Sequence, residues 1–224
     1  MTDSGSVYQT PASELLAKPD LPDAFLNGPL TREKLRYTGW LALLYLLLTP
    51  PHIGVSFMSG IEVGDNFYVN VNRLLTVVDT AIYIFLLFIF KQFVNVRFGF
   101  NRADRYISIL IGLSVVMAVL SFLMPSDAET FDVPTIGYFV LLVPFGVVSI
   151  LFGKRLLSIN TDFSYLRLYS WSTIVAGVLL ATVILFLLAL PVGLVSSFAL
   201  AMIFFTAAGE LKAHKDNQPV LPSG

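Results

Sequence analysis

Asp79 is the residue with the most chemistry to explain. It sits in VNVNRLLTVVDTAIYIFLLFIF, residues 69–90, a largely apolar stretch whose only other charge is Arg73 near its start. At helical rise, Asp79 lies about 9 Å below Arg73, and Lys91 follows about 27 Å from Arg73. The two cations can extend their stems to opposite faces of a bilayer; the short carboxylate cannot. An Asp at the centre of a membrane helix costs about 2.5 to 3.5 kcal/mol to insert. It must therefore face protein or a water-filled cavity. Helical spacing places Asn72, Thr76, Asp79 and Tyr83 on one stripe within about 60°. Arg73 belongs to the candidate set by proximity, but at about 120° from that stripe it is a poor direct partner. His52 and Thr49 on an earlier segment, Tyr138, and Ser196 and Ser197 fall at similar depth. Two chemistries fit this set: a proton, cation or small-solute site open to the outside, or a carboxyl held protonated or hydrogen-bonded to join helices.

Other chemistries find no residues. Cysteine is absent, and the two histidines, His52 and His214, fall at opposite ends of the apolar segments, so neither a zinc cluster nor a bis-His haem is expected. Serines flank glycine in Ser56-Phe57-Met58-Ser59-Gly60, but no G-x-S-x-G occurs and no second histidine stands by as base. G-x-G-x-x-G and P-loop phosphate cradles are missing, and Asp104 and Asp162 are isolated loop carboxylates. The expectation is a non-enzymatic protein with no catalytic, cofactor or metal residues. A net charge of -1 gives no basic field for nucleic acid.

The elements that must position Asp79 are membrane helices. Of 224 residues, 56% are hydrophobic and 13% charged, about half the charge of a soluble domain. Six apolar segments are read: Leu35 to Pro50-Pro51, 72–94, 106–124, 134–155, and a block over 168–209 that is roughly two bilayer crossings long. Leu190-Pro191-Val192-Gly193 would turn that block into a hairpin. The first segment is short unless its helix continues, kinked, through the two prolines. Pro144 and Gly146 should bend the fourth. Small residues at spacing four (Ser108 and Gly112, Ser114 and Ala118, and Thr173, Gly177 and Ala181) suit close helix contacts, within the bundle or with a membrane protein partner.

Charge sets the orientation. With both termini cytoplasmic, only Arg73 of the 14 Lys and Arg residues lies on the far side, whose loops hold Glu62, Asp65, Asp127, Glu129 and Asp132. The expected fold is all-α integral membrane with six transmembrane helices. Residues 1–30 form a disordered cytoplasmic tail, 31–211 the transmembrane domain and 212–224 a C-terminal tail. The lipid bilayer is the first partner, with anionic headgroups drawn to the basic cytoplasmic loops.

Tyr8-Gln9-Thr10-Pro11-Ala12-Ser13-Glu14-Leu15 is similar to the Asn-Pro-Tyr-x-x-Pro opening of many small, multi-spanning inner-membrane proteins of proteobacteria, with Ser6-Val7 where Asn-Pro often stands. The resemblance implies a cell inner membrane location and no particular activity. On the sequence, the leading functional expectation is an accessory or regulatory subunit acting through helix faces and basic loops. The alternative is a small transporter or channel for protons, cations or a small solute that uses Asp79.

Overall fold

The computed structural model describes residues 21–61, 66–123, 133–161, 163–183 and 185–216. Every regular element among them is helical. A short α1 (Asp23–Leu26) precedes six long helices: α2 (Arg32–Ile61), α3 (Asn66–Phe98), α4 (Asp104–Leu123), α5 (Val133–Leu157), α6 (Ser164–Ala181) and α7 (Phe186–Asp216). Five of these, α2 to α5 and α7, are long and apolar enough to cross a membrane.

Local sequence sets the ends. Thr31 caps α2, its hydroxyl accepting the Lys34 N–H at 3.2 Å. Gly99, at φ +61, stops α3 in a conformation that other residues adopt at a cost, and its N–H returns to the Asn95 carbonyl at 2.9 Å. Asp104 opens α4 while pairing with Lys91 at 3.3 Å, which ties α4 back to α3.

Each helix packs on the next, and α7 closes against α2, so the six form a ring. Its tightest seam joins α5 to α6. A Cβ on Gly146 would strike the Gly177 carbonyl and approach the Ala181 nitrogen to 2.7 Å, and one on Gly153 would meet the Ser170 carbonyl at 2.7 Å. Backbone here lies directly on backbone, as small residues allow between apolar helices.

Burial is concentrated at the end of the ring that carries the basic residues. Phe90, Phe93, Phe152 and Phe204 are fully buried there. Phe90 contacts Tyr169 and Phe152, at 5.1 and 6.1 Å between ring centroids, and Phe93 reaches Phe204 and Phe25. Through the rings of this aromatic plug α3 reaches side chains of α5, α6 and α7. Away from it the ring loosens: among the described residues, none of α2 beyond Ala42, of α3 before Leu86 or of α4 beyond Leu110 is buried.

Several expectations need correction. The reversal of the long apolar block falls between Ala181 and Phe186, with Val183 at φ 55, and not at Leu190–Gly193. Pro191 lies inside α7, one turn past its start, where it removes the N–H that would bond the Leu187 carbonyl. Residues 21–30, expected within a disordered tail, include α1 and place Phe25 and Leu30 in the core. α7 continues to Asp216, past the expected boundary at 211. Through Pro50 and Pro51, α2 remains one helix. The other expected helices run one to six residues beyond their sequence bounds at most ends. Residues 1–20 and the acidic loop residues Glu62, Asp65, Asp127, Glu129 and Asp132 lie outside the described residues.

Candidate functional site

Inside the ring lies a cavity of about 520 Å³ lined from all six long helices. Its wall is polar along one seam, where α2 and α3 run antiparallel. Tyr45, Thr49, His52 and Ser56 on α2 recur at helical spacing and face Tyr83, Asp79, Thr76 and Asn72 on α3. The two stripes meet rung by rung. At the exposed rim the Ser56 hydroxyl donates to Asn72 Oδ1 at 2.7 Å. One turn deeper, Thr76 Oγ1 lies 3.4 Å from His52 Nε2, and Thr76 also donates to the Asn72 carbonyl at 2.9 Å. Thr49, next on the α2 stripe, donates to the Tyr45 carbonyl at 2.9 Å. Beyond it the Tyr45 hydroxyl and the Asp79 carboxyl lie within electrostatic reach of each other. The lowest rung is Tyr45 on Tyr83, near-parallel rings with centroids 6.4 Å apart.

The remaining walls add hydroxyls and aromatic surface. α4 contributes Ser114 and Ser121, and α5 contributes Ser149 and Tyr138, whose hydroxyl lies within electrostatic reach of Asp79. On α6 and α7, Thr173, Ser196 and Ser197 line the cavity, and Ser196 shares a 2.6 Å hydrogen bond with Ser172. Phe152 and Tyr169, members of the plug, form the floor. The cavity therefore opens past Ser56 and Asn72 and ends at aromatic rings near the basic end.

Asp79 is the sole acidic side chain on this wall, and neither Lys nor Arg is among the lining residues described. The charge balance favours a cation or a neutral hydrogen-bonding guest. Among the described residues no three His, Cys, Asp or Glu side chains gather as metal ligands.

Of the sequence-derived candidates, Asp79, Asn72, Thr76, Tyr83 and His52 share this wall, while Arg73 is not part of it. Thr49, Tyr138, Ser196 and Ser197 also line the cavity. Sequence reasoning missed Tyr45 and Ser56. Both stand four residues from a residue already singled out, Thr49 or His52, and extending the α2 stripe in each direction finds them. His214 lies at the other end of the bundle, in a cleft between the start of α2 and the end of α7.

No protein-family model, curated protein or solved structure matches the chain.

Proposed function

We propose that this chain is a six-span inner-membrane protein with both termini cytoplasmic, and that it binds and moves a small cationic solute or protons at Asp79. One observation carries the reading: a cavity lined by all six long helices with one polar seam, whose single charged residue among the described lining is a carboxyl in the middle of an apolar helix. An intramembrane ionisable group facing such a space is a functional site by default.

Two features support the six-span arrangement. α6, with 18 residues, is about 27 Å long at helical rise, close to a hydrocarbon core. The start of α2 and the end of α7 line one cleft, so both described ends of the chain lie at the basic end of the ring. The positive-inside rule assigns that end to the cytoplasm, and the cavity then opens outward. The tail resemblance to proteobacterial inner-membrane proteins supports the same location.

The accessory-subunit reading has less beneath it. Gly177 and Ala181 are occupied by α5, while Ser114, Ala118 and Thr173 face the cavity. Two of the three small-residue faces are thus used inside the ring.

The test is flux in proteoliposomes, following protons, Na+ and K+ with entrapped indicators and choline by radiolabel. Wild-type protein should move one of them down its gradient, and Asp79→Asn should abolish that flux with unchanged expression and elution. An Asp79→Asn protein equal to wild type for every ion would reduce the carboxyl to a structural tie between helices. Orientation is tested separately, because the chain has no native cysteine. Thr182→Cys should label with an impermeant maleimide in intact cells, and Asn101→Cys and Asn160→Cys only after lysis.

A further inference from the structure

We infer that the preferred guest of the cavity is an organic ammonium ion, a protonated or quaternary amine, in place of an inorganic cation. This inference rests on the cation-binding reading above and narrows its substrate class.

Volume is the first argument. About 520 Å³ falls within the range of roughly 300 to 1,000 Å³ over which pockets enclose small organic ligands. A proton relay needs a chain of hydrogen-bonding groups and no chamber of that size. A bare metal ion would be lost in it unless oxygens converged on one point.

The donor set is the second. Inorganic cations are selected by rings of carbonyls or of carboxylates that replace the hydration shell. Here a single carboxyl faces the space, and no second carboxylate joins it among the described lining residues.

The third argument is the company Asp79 keeps. Tyr45, Tyr83 and Tyr138 line the cavity around it, and Phe152 and Tyr169 floor it. One carboxylate among aromatic rings is the arrangement that recognises alkylammonium groups, because the rings attract the diffuse cation and accept its alkyl surface. Tyr45 adds orientation, since its hydroxyl lies near the carboxyl while its ring rests on Tyr83, with centroids 6.4 Å apart. An ammonium headgroup would sit at Asp79 with its alkyl portion toward the floor.

The probe is radiolabelled choline bound to purified protein in detergent. Competitors are tetraethylammonium, Na+, K+, and 3,3-dimethylbutan-1-ol, which copies the shape of choline without its charge. Saturable choline binding should yield to tetraethylammonium and resist a hundredfold excess of the alcohol, Na+ or K+. Asp79→Asn should remove it. Tyr138→Leu should weaken it roughly 2- to 30-fold, the loss of one aromatic contact, whereas Tyr138→Phe, which keeps the ring, should stay within about 3-fold of wild type. Size-exclusion elution of each variant reports folding. Displacement by Na+ or K+ would overturn the ammonium assignment and leave a cation site at Asp79 standing. Displacement by the alcohol as effectively as by tetraethylammonium would show that shape alone is read, and the inference would fail. Absence of choline binding also defeats it; the proposed function then survives if proteoliposomes still show Asp79-dependent inorganic flux and falls if they do not.

Discussion

Two glycines show how much a single hydrogen-for-methyl exchange can decide. Gly to Ala inside a helix ordinarily gains up to about 1 kcal/mol from propensity. At Gly146 the added methyl would enter the α6 backbone, which cannot move aside as a flexible side chain can. Overpacking of this kind costs about 1 to 3 kcal/mol, so the sign reverses. Gly146→Ala should lower the melting temperature in detergent, while Gly112→Ala, with nothing within 4 Å of its new methyl, should leave it unchanged or raise it. Spacing alone marked the Thr173, Gly177 and Ala181 face of α6, but its partner on α5 was hidden. Gly146 was noted only as a bend beside Pro144, because contacts between segments are invisible to a one-segment pattern. Asp79 was the more legible residue. Its insertion cost forces it inward whatever the fold, and the 3–4 spacing of Asn72, Thr76 and Tyr83 fixes which way inward is.

At the scale of elements, apolar length located the long helices and failed at their ends. The α6–α7 reversal was assigned to Pro191 and Gly193 because Pro and Gly usually punctuate helices. In a membrane segment they are tolerated inside the helix, and the turn instead uses Val183 at positive φ. A β-branched residue there carries about 1 to 2 kcal/mol of steric cost, against about 0.5 to 1 kcal/mol for the added chain entropy of glycine. Val183→Gly should therefore raise the melting temperature slightly. α1 was missed for a different reason. Four residues give no readable period, and its anchor is tertiary: Phe25 is fully buried against Phe93, with Arg97 lying 5.7 Å from its ring centroid. Phe25→Ala should cost about 3 kcal/mol, read as a lower melting temperature, and this would show that the segment before α2 is part of the folded unit.

For the whole molecule, the two ends of the ring differ in how firmly they are held. At the basic end, the aromatic plug is bordered by Arg97, whose Nε donates to Glu210 Oε2 at 3.1 Å and joins α3 to α7. Its side chain is 10% exposed and that of Glu210 24%, so breaking the pair falls between the surface and the buried cases, at about 1 to 3 kcal/mol. The Lys91–Asp104 pair is about a third exposed at both partners and should contribute under about 1 kcal/mol. Glu210→Gln should thus destabilise more than Lys91→Met in parallel thermal unfolding, and equal losses would place the closure of this end in the aromatic rings alone. Charge asymmetry was plain in the sequence. That the same end is also the packed one was not, because aromatic residues are spread along several segments and only the ring brings Phe90, Phe152 and Phe204 into one layer.

The contact of α7 with α2 joins the first and last of the six long helices. Chains are made from the N-terminus, so for most of synthesis α2 has α3 on one side and no neighbour on the other. The chamber then lacks the wall that bears Gly193, Ser196 and Ser197. A nascent chain halted after α6 would leave Asp79 in a trough open to lipid or to the insertion machinery, at the insertion penalty that the finished ring removes. Emergence of α7 is consequently the step that converts a lipid-exposed polar trough into an enclosed space. A ribosome-stalled intermediate one helix short should be the species that insertases hold and membrane proteases cut.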